Sequence, residues 1–436
     1  MPQSEPRASA PEQPPIPGRV ATAGWYGQLE PVERRTFWAC FAGFGLDSMD
    51  NSIYALVIPA LIATLGITRP EAGYLATAAL AGAALGGWFA GIAADRFGRI
   101  RILQFTILWV ALFTFLSAFA TGFAPLFALR FLQGMGYGGE AAVGATLISE
   151  VVRPKLRGRV ASAVSSGYAV GYGASVALFP VISSLFAPEL GWRVFFAIGL
   201  VPAVAVFFIR RLVPESGLFA EAAAMRSIHD RRAFWNIFAA RHLRRTLPAA
   251  IMSAGIFGGN YVMIIWLPTY LRTALNFSVA TSASYLAANI AGSLFGPLFY
   301  GELSDRLGRR PTFVTFLVLQ ALNVGIFVLA APRLWLLIVL SFALGACQNA
   351  LASGMTPTFA ELFETSTRAN AQGFCLGGGR GFGSVMPATV GLIATTQPLG
   401  IAMGSCAGSA YFLAFLALLA LPETKQIDLA VVDQKT

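Results

Sequence analysis

The sequence predicts an all-α membrane protein of twelve spans in two pseudo-symmetric six-helix bundles. Three observations carry that prediction. Apolar residues make up 56% of the 436 positions and charged residues only 12%, against roughly 25% charged in soluble domains. Twelve apolar stretches approach or exceed the roughly 20 residues a helix needs to cross the hydrocarbon. A basic turn also occurs twice. Gly91-Ile-Ala-Ala-Asp95-Arg96-Phe-Gly98-Arg99-Ile-Arg101 is answered by Gly301-Glu-Leu-Ser-Asp305-Arg306-Leu-Gly308-Arg309-Arg310, each copy between two apolar stretches. Self-similarity at a fixed offset is the mark of a duplicated architecture.

Taken in order, the chain opens with residues 1–35, a segment rich in Pro, Ala, Glu and Gln that is expected to be a disordered cytoplasmic tail. It has no short apolar region with a cleavage site, so a removable leader is not expected. Six spans follow at about 36–64, 72–94, 101–121, 124–152, 159–186 and 192–212, forming an N-terminal bundle over 36–212. A polar linker covers 213–246, where Arg226, Arg231, Arg232, Arg241, Arg244 and Arg245 are interleaved with Phe219, Phe234, Trp235 and Phe238. That mixture predicts an amphipathic helix lying on the inner leaflet. The second bundle, 247–421, has spans at about 247–272, 279–303, 311–331, 333–359, 369–395 and 398–421, and 422–436 forms a second cytoplasmic tail.

Basic residues set the expected orientation. Arg96, Arg99 and Arg101 lie between spans 2 and 3, Arg153, Lys155, Arg157 and Arg159 between 4 and 5, and Arg306, Arg309 and Arg310 between 8 and 9. Arg368 lies between 10 and 11, and the opposite side has only Arg69, Arg193, Arg272 and Arg333. The positive-inside rule puts both termini in the cytoplasm. The net charge of +10 is thereby a matter of topology, and no nucleic-acid partner is expected. Cys40, Cys347, Cys375 and Cys406 sit in apolar segments without metal-ligand spacing. They read as small buried residues, and no metal or cofactor is expected.

The repeat extends beyond the turn: Glu150 and Arg157 are matched by Glu361 and Arg368, Gly134 by Gly345, and Pro59 by Pro268. Where the halves differ is more informative. Arg130 in span 4 corresponds to Ser341, Arg380 in span 11 to Ala169, and Glu140 falls near Ala350. Asp47 and Asp50 in span 1 fall opposite Phe257 and Asn260. A charge at membrane depth costs at least a few kcal/mol, so such residues face a partner or a cavity. Asp47 and Asp50, three apart, share one face of their helix. Arg130, Gln133, Tyr137 and Glu140 fall within an arc of about 80° at 100° per residue. Arg380 stands among Gly377, Gly378, Gly379, Gly381 and Gly383, which leaves room beside a guanidinium suited to bidentate recognition of a carboxylate. The expected assignment is proton coupling by Asp47, Asp50 and Glu140. Substrate binding is expected from Arg130, Gln133, Tyr137, Asn260 and Arg380.

This pattern resembles the major facilitator superfamily over nearly the whole chain after the tail. The resemblance implies two bundles rocking about a central site, and no enzyme activity. It also implies a gate built from the repeated turns: Asp95, Arg96, Arg99, Glu150 and Arg157 in one half, and Asp305, Arg306, Arg309, Glu361 and Arg368 in the other. Arg130-Phe-Leu-Gln-Gly134-Met-Gly136-Tyr-Gly138-Gly139-Glu140, with Asp47-Ser-Met-Asp50 and the glycines around Arg380, is similar to the organic-acid/proton symporters of the superfamily, of sialate and lactate type. Aromatic-acid symporters come next, since Ser48 stands where they usually have glycine. The partners implied are a small organic anion, protons and the lipid bilayer, for a monomer in a bacterial inner membrane. The alternatives are a proton-coupled exporter, a sugar porter, or a sensor that binds a solute without moving it.

Overall fold

A computed structural model describes residues 25–211, 240–329, 333–363 and 365–424. After a 3₁₀ turn at Trp25–Gln28 come α1 (Pro31–Leu65), α2 (Arg69–Phe97), α3 (Arg99–Ser117) and α4 (Phe123–Val151). They are followed by α5 (Pro154–Ser165), α6 (Gly167–Leu185), α7 (Pro188–Ile198) and α8 (Leu200–Arg211). The second half has α9 (Ala240–Thr269), continued by a π turn at Tyr270–Ala274, then α10 (Val279–Leu307), α11 (Arg309–Leu329) and α12 (Leu334–Leu362). It ends with α13 (Thr365–Gly383), α14 (Met386–Ile393) and α15 (Leu399–Leu419). Three spans are broken into two helices: α5–α6, α7–α8 and α13–α14. Among the described residues twelve spans result, eight of them long and apolar enough to cross a membrane.

The break in span 11 has a local cause. Glycines precede it, Pro387 sits in the first turn of α14, and the Ser384 N–H reaches back to the Arg380 and Gly381 carbonyls. Proline suits a first turn because its missing N–H has no intrahelical partner there.

Within each half, α2 packs on α4 and α10 on α12 through glycines that bring backbones into contact. A Cβ on Gly134 would fall 2.0 Å from the Ala79 carbonyl oxygen, and one on Gly345 would fall 1.8 Å from that of Asn289. The glycine of each basic turn is required for a different reason. Gly98 and Gly308 have φ of 101° and 108°, a region costly for any side chain with a Cβ.

The halves meet along α2 against α13–α14, α6 against α10, and α1 against α9. On the face away from the arginine-rich turns, α2 and α14 are in backbone contact. A Cβ on Gly73 would lie 2.6 Å from the Pro387 carbonyl oxygen, and one on Gly391 would lie 2.6 Å from that of Arg69. Arg69 Nη1 donates to the Ala394 carbonyl (3.1 Å) and Thr77 Oγ1 to that of Ser384 (2.7 Å). Toward the basic face, Gly373, Gly377 and Arg380 of α13 are exposed.

Several boundaries differ from expectation; the fifth span, for one, starts at Pro154 rather than at 159. Helix α1 starts at Pro31 rather than at 36, because Glu30 and Glu33 form a capping box and Pro31 opens the first turn. The described part of α9 runs from Ala240, so the end of the expected linker, 240–246, is helical. The linker over 212–239 and the segments 1–24 and 425–436 lie outside the described residues.

Candidate functional site

Two constellations bring polar groups to membrane depth. The first is enclosed within the N-terminal half. Asp50 of α1 accepts hydrogen bonds from Thr114 Oγ1 of α3 at Oδ1 and from Gln133 Nε2 of α4 at Oδ2. Arg130 Nη1 stands 3.6 Å from the same Oδ2. The guanidinium carbon of Arg130 lies 4.4 Å from the centroid of the Tyr54 ring, and the Tyr54 hydroxyl donates to the Ala72 carbonyl at 2.6 Å. Arg130 is 1% exposed and Asp50 4%. A buried charge pair of this kind holds only when further hydrogen bonds satisfy its remaining atoms, which Thr114 and Gln133 do for the carboxylate.

The second constellation lies between the halves. Arg380 of α13 is exposed, and among the described residues no acceptor reaches its guanidinium. That group lies 5.0 Å from the centroid of the Phe257 ring of α9, which stacks on Tyr261 with centroids 6.0 Å apart. Tyr137 of α4 and Tyr168 of α6 are within electrostatic range of both Arg380 and Asp47, and Tyr261 is within range of Arg380. Residues of two helices of the first half, α4 and α6, and of α9 in the second therefore lie within electrostatic range of one cationic group on α13 that is backed by aromatic rings. A guanidinium on an aromatic face keeps its N–H edge available for an anion.

The expected site residues divide between these places. Asp50, Arg130 and Gln133 come together, but Arg130 and Gln133 are closed off from the space between the halves. Their expected place in one substrate site with Tyr137 differs from this placement, in which both lie against the carboxylate of Asp50. Tyr137 and Arg380 come together in the second constellation, with Asp47 nearby. Asn260 is buried in the C-terminal half, where its amide donates to the Gln348 carbonyl (3.3 Å) and its Oδ1 accepts from the Tyr411 hydroxyl (3.0 Å). Glu140 is buried in α4, ten residues from Arg130 and hence about 15 Å further along the helix. Thr114, Tyr54, Tyr168, Phe257 and Tyr261 were not anticipated. A signal existed for Tyr54, which is four residues after Asp50 and so on its helix face. Thr114 had none, because only the packing of α3 against α4 brings it to Asp50.

At the basic face, Arg99 binds Glu150 through Nε and Nη2 (3.2 and 2.9 Å), and Arg309 binds Glu361 in the same manner with Nη2 at 2.9 Å. Asp305 pairs with Arg309 at 3.1 Å. Glu423 caps α11 by accepting the N–H groups of Arg309 (2.8 Å) and Arg310 (3.0 Å). Each of these pairs stays within one half. Arg96 is exposed, and Arg306 makes an exposed pair with Glu302, a type of contact worth little. The side chains of Asp95, Arg157 and Arg368 lie outside the described residues. One pair was not expected. Glu33 accepts from Arg153 Nε (3.0 Å) and Nη2 (2.8 Å), and this hydrogen bonding holds the Arg153 guanidinium above its usual pKa.

The model of the Major Facilitator Superfamily matches residues 40–297 and 249–432. The chain belongs to that superfamily. This major facilitator transporter is 36% identical over 405 residues to a probable 4-methylmuconolactone transporter of Cupriavidus pinatubonensis, covering 92% of this chain and 94% of the relative. It is 28% identical to a cis,cis-muconate transport protein of Acinetobacter baylyi (90% and 95% covered) and 28% identical to a sialic acid transporter of Escherichia coli (88% and 93%). Among solved structures, the crystal structure of a D-xylose-proton symporter superposes with a TM-score of 0.75 at 18% identity, covering 90% of this chain and 98% of that one. At that identity the likeness concerns the fold. The major facilitator fold accounts for the two bundles and for a site between them. The protein is a multi-pass membrane transporter, and its family is not one of enzymes.

Proposed function

We propose that this transporter takes up small organic carboxylates together with protons, and that flat conjugated acids are its preferred class. The carrying observation is Arg380, a guanidinium open to the space between the halves and backed by Phe257 and Tyr261. A carboxylate takes the N–H edge of the guanidinium, and the tyrosines flank the body of the solute. The names of relatives fit this chemistry: methylmuconolactone, cis,cis-muconate, niacin and 4-hydroxybenzoate. Sialate remains a second candidate through one relative.

Asp50 is the proposed proton carrier. Ionised, it holds Arg130; protonated, it releases that partner, and a shift of one charge changes the energy balance of α1, α3 and α4 in low dielectric. The basic face is taken as cytoplasmic, in a bacterial inner membrane, so the arrangement described here is inward-facing. The protein works as a monomer, since both constellations are complete within one chain.

The test is internal pH in reconstituted vesicles challenged with mono-, di- and aromatic carboxylates and sialate. Acidification is expected with one class of acid and is lost in both Asp50→Asn and Arg380→Ala. Asp50→Asn should still exchange labelled substrate across the membrane. Transport that is indifferent to every acid, or a Asp50→Asn variant that still concentrates substrate, would overturn the reading.

A further inference from the structure

Tyr54 bridges two parts of the molecule that the proposed mechanism must connect. It is fully buried in α1. Its ring lies on the Arg130 guanidinium, 4.4 Å from carbon to centroid, and its hydroxyl binds the Ala72 carbonyl at 2.6 Å. Ala72 belongs to the first turn of α2, which makes the closed contact with α14. Its sequence neighbour Gly73 abuts Pro387 and Ala388, and Arg69, three residues earlier, donates to Ala394. One side chain thus touches the partner of Asp50 on one side and the first turn of α2 on the other.

We propose that Tyr54 couples the charge state of the Asp50–Arg130 pair to the contact between α2 and α14. This rests on the reading of Asp50 as the proton carrier. When Asp50 is ionised, Arg130 is held between the carboxylate and the ring. When Asp50 is neutral, Arg130 loses that anchor and moves. The ring stacked on it moves too, and the hydroxyl transmits the shift to the first turn of α2. Other charges near this line are Asp47 one turn earlier on α1, Arg193 donating to the Ala118 and Ala120 carbonyls, and Arg69 and Glu71 on α2. The contribution of α3 at this point is the Thr114 hydroxyl. None of these touches both ends as Tyr54 does. A double-mutant cycle measures such a coupling directly.

The experiment uses the full-length protein in lipid nanodiscs, with its four buried cysteines replaced by alanine and spin labels at the exposed positions of Tyr74 and Gln397. The ratio of closed to open distances is read for the parent, Asp50→Asn, Tyr54→Phe and the double variant. The phenylalanine keeps the ring on Arg130 and removes only the hydroxyl. Neutralising Asp50 is expected to change the ratio about 5-fold with Tyr54 present and less than about 2-fold in the Tyr54→Phe background, a coupling of ordinary size for two communicating sites. Tyr54→Phe should retain substrate exchange while losing uphill accumulation, which a purely structural role would not separate. An equal response to Asp50→Asn in both backgrounds overturns the role of Tyr54 and leaves the proton-carrier reading intact. No response in either background overturns both, and persistent uphill uptake by Asp50→Asn in vesicles identifies the proton assignment as the cause.

Discussion

At the scale of single residues, the two arginines at membrane depth have different surroundings. Arg130 is enclosed and paired, whereas Arg380 is open. Replacing Arg380 by lysine retains the charge but loses the planar fork and the flat contact with Phe257. The apparent KM for the preferred acid is expected to rise about 10- to 100-fold while kcat changes much less, the signature of lost binding rather than lost turnover. Initial-rate uptake at graded substrate concentrations checks this. A fall in kcat at constant KM would mean that Arg380 acts in the conformational step instead.

Elements are held together by backbone contact, and glycine is the reason it is close. Gly345 lets α12 lie against the Asn289 carbonyl of α10, and a methyl group there has only backbone to displace. Gly345→Ala is expected to destabilise the C-terminal half by about 1–3 kcal/mol, the ordinary cost of overpacking. A lowered melting temperature in detergent would register it. Gly377, by contrast, has nothing within 4 Å of where its Cβ would be. Gly377→Ala should leave the melting temperature within a degree or so of the parent, since substitutions away from packed features usually fall within about 0.5 kcal/mol. The match of Gly134 with Gly345 was legible from the repeat. That both serve helix packing became visible only once the opposing carbonyls were in place.

At the scale of the whole molecule, the closed side is defined by a few small residues. Gly73 and Gly391 allow α2 and α14 to touch. An indole at position 391 cannot fit against the Arg69 carbonyl and Pro70, so Gly391→Trp is expected to hold this side apart and shift the population toward the opposite opening. A cysteine placed at Tyr261 should then react with an impermeant maleimide from the face away from the arginine turns. In the parent it should react from the basic face. Labelling from the basic face alone in both proteins would mean that the α2–α14 contact is not the gate.

The sequence by itself determined the class, the twelve spans, the duplication and the polarity of the turns. These follow from composition, apolar run length and a motif repeated at constant offset, all of which are local or periodic quantities. It also marked the unusual charges, because a charge inside an apolar run needs no structure to be seen. What it did not contain was the partner of each charge. Gln133 and Arg130 share a helical stripe with Tyr137, and the stripe alone assigned all three to one site. Tertiary packing divides them: α3 and α1 close over Arg130 and Gln133, whereas α6, α9 and α13 meet near Tyr137. Only that packing brings Thr114 to Asp50 and Tyr54 to the first turn of α2. Contacts between helices depend on how far each is rotated and shifted against its neighbours, and no periodicity within one helix records that.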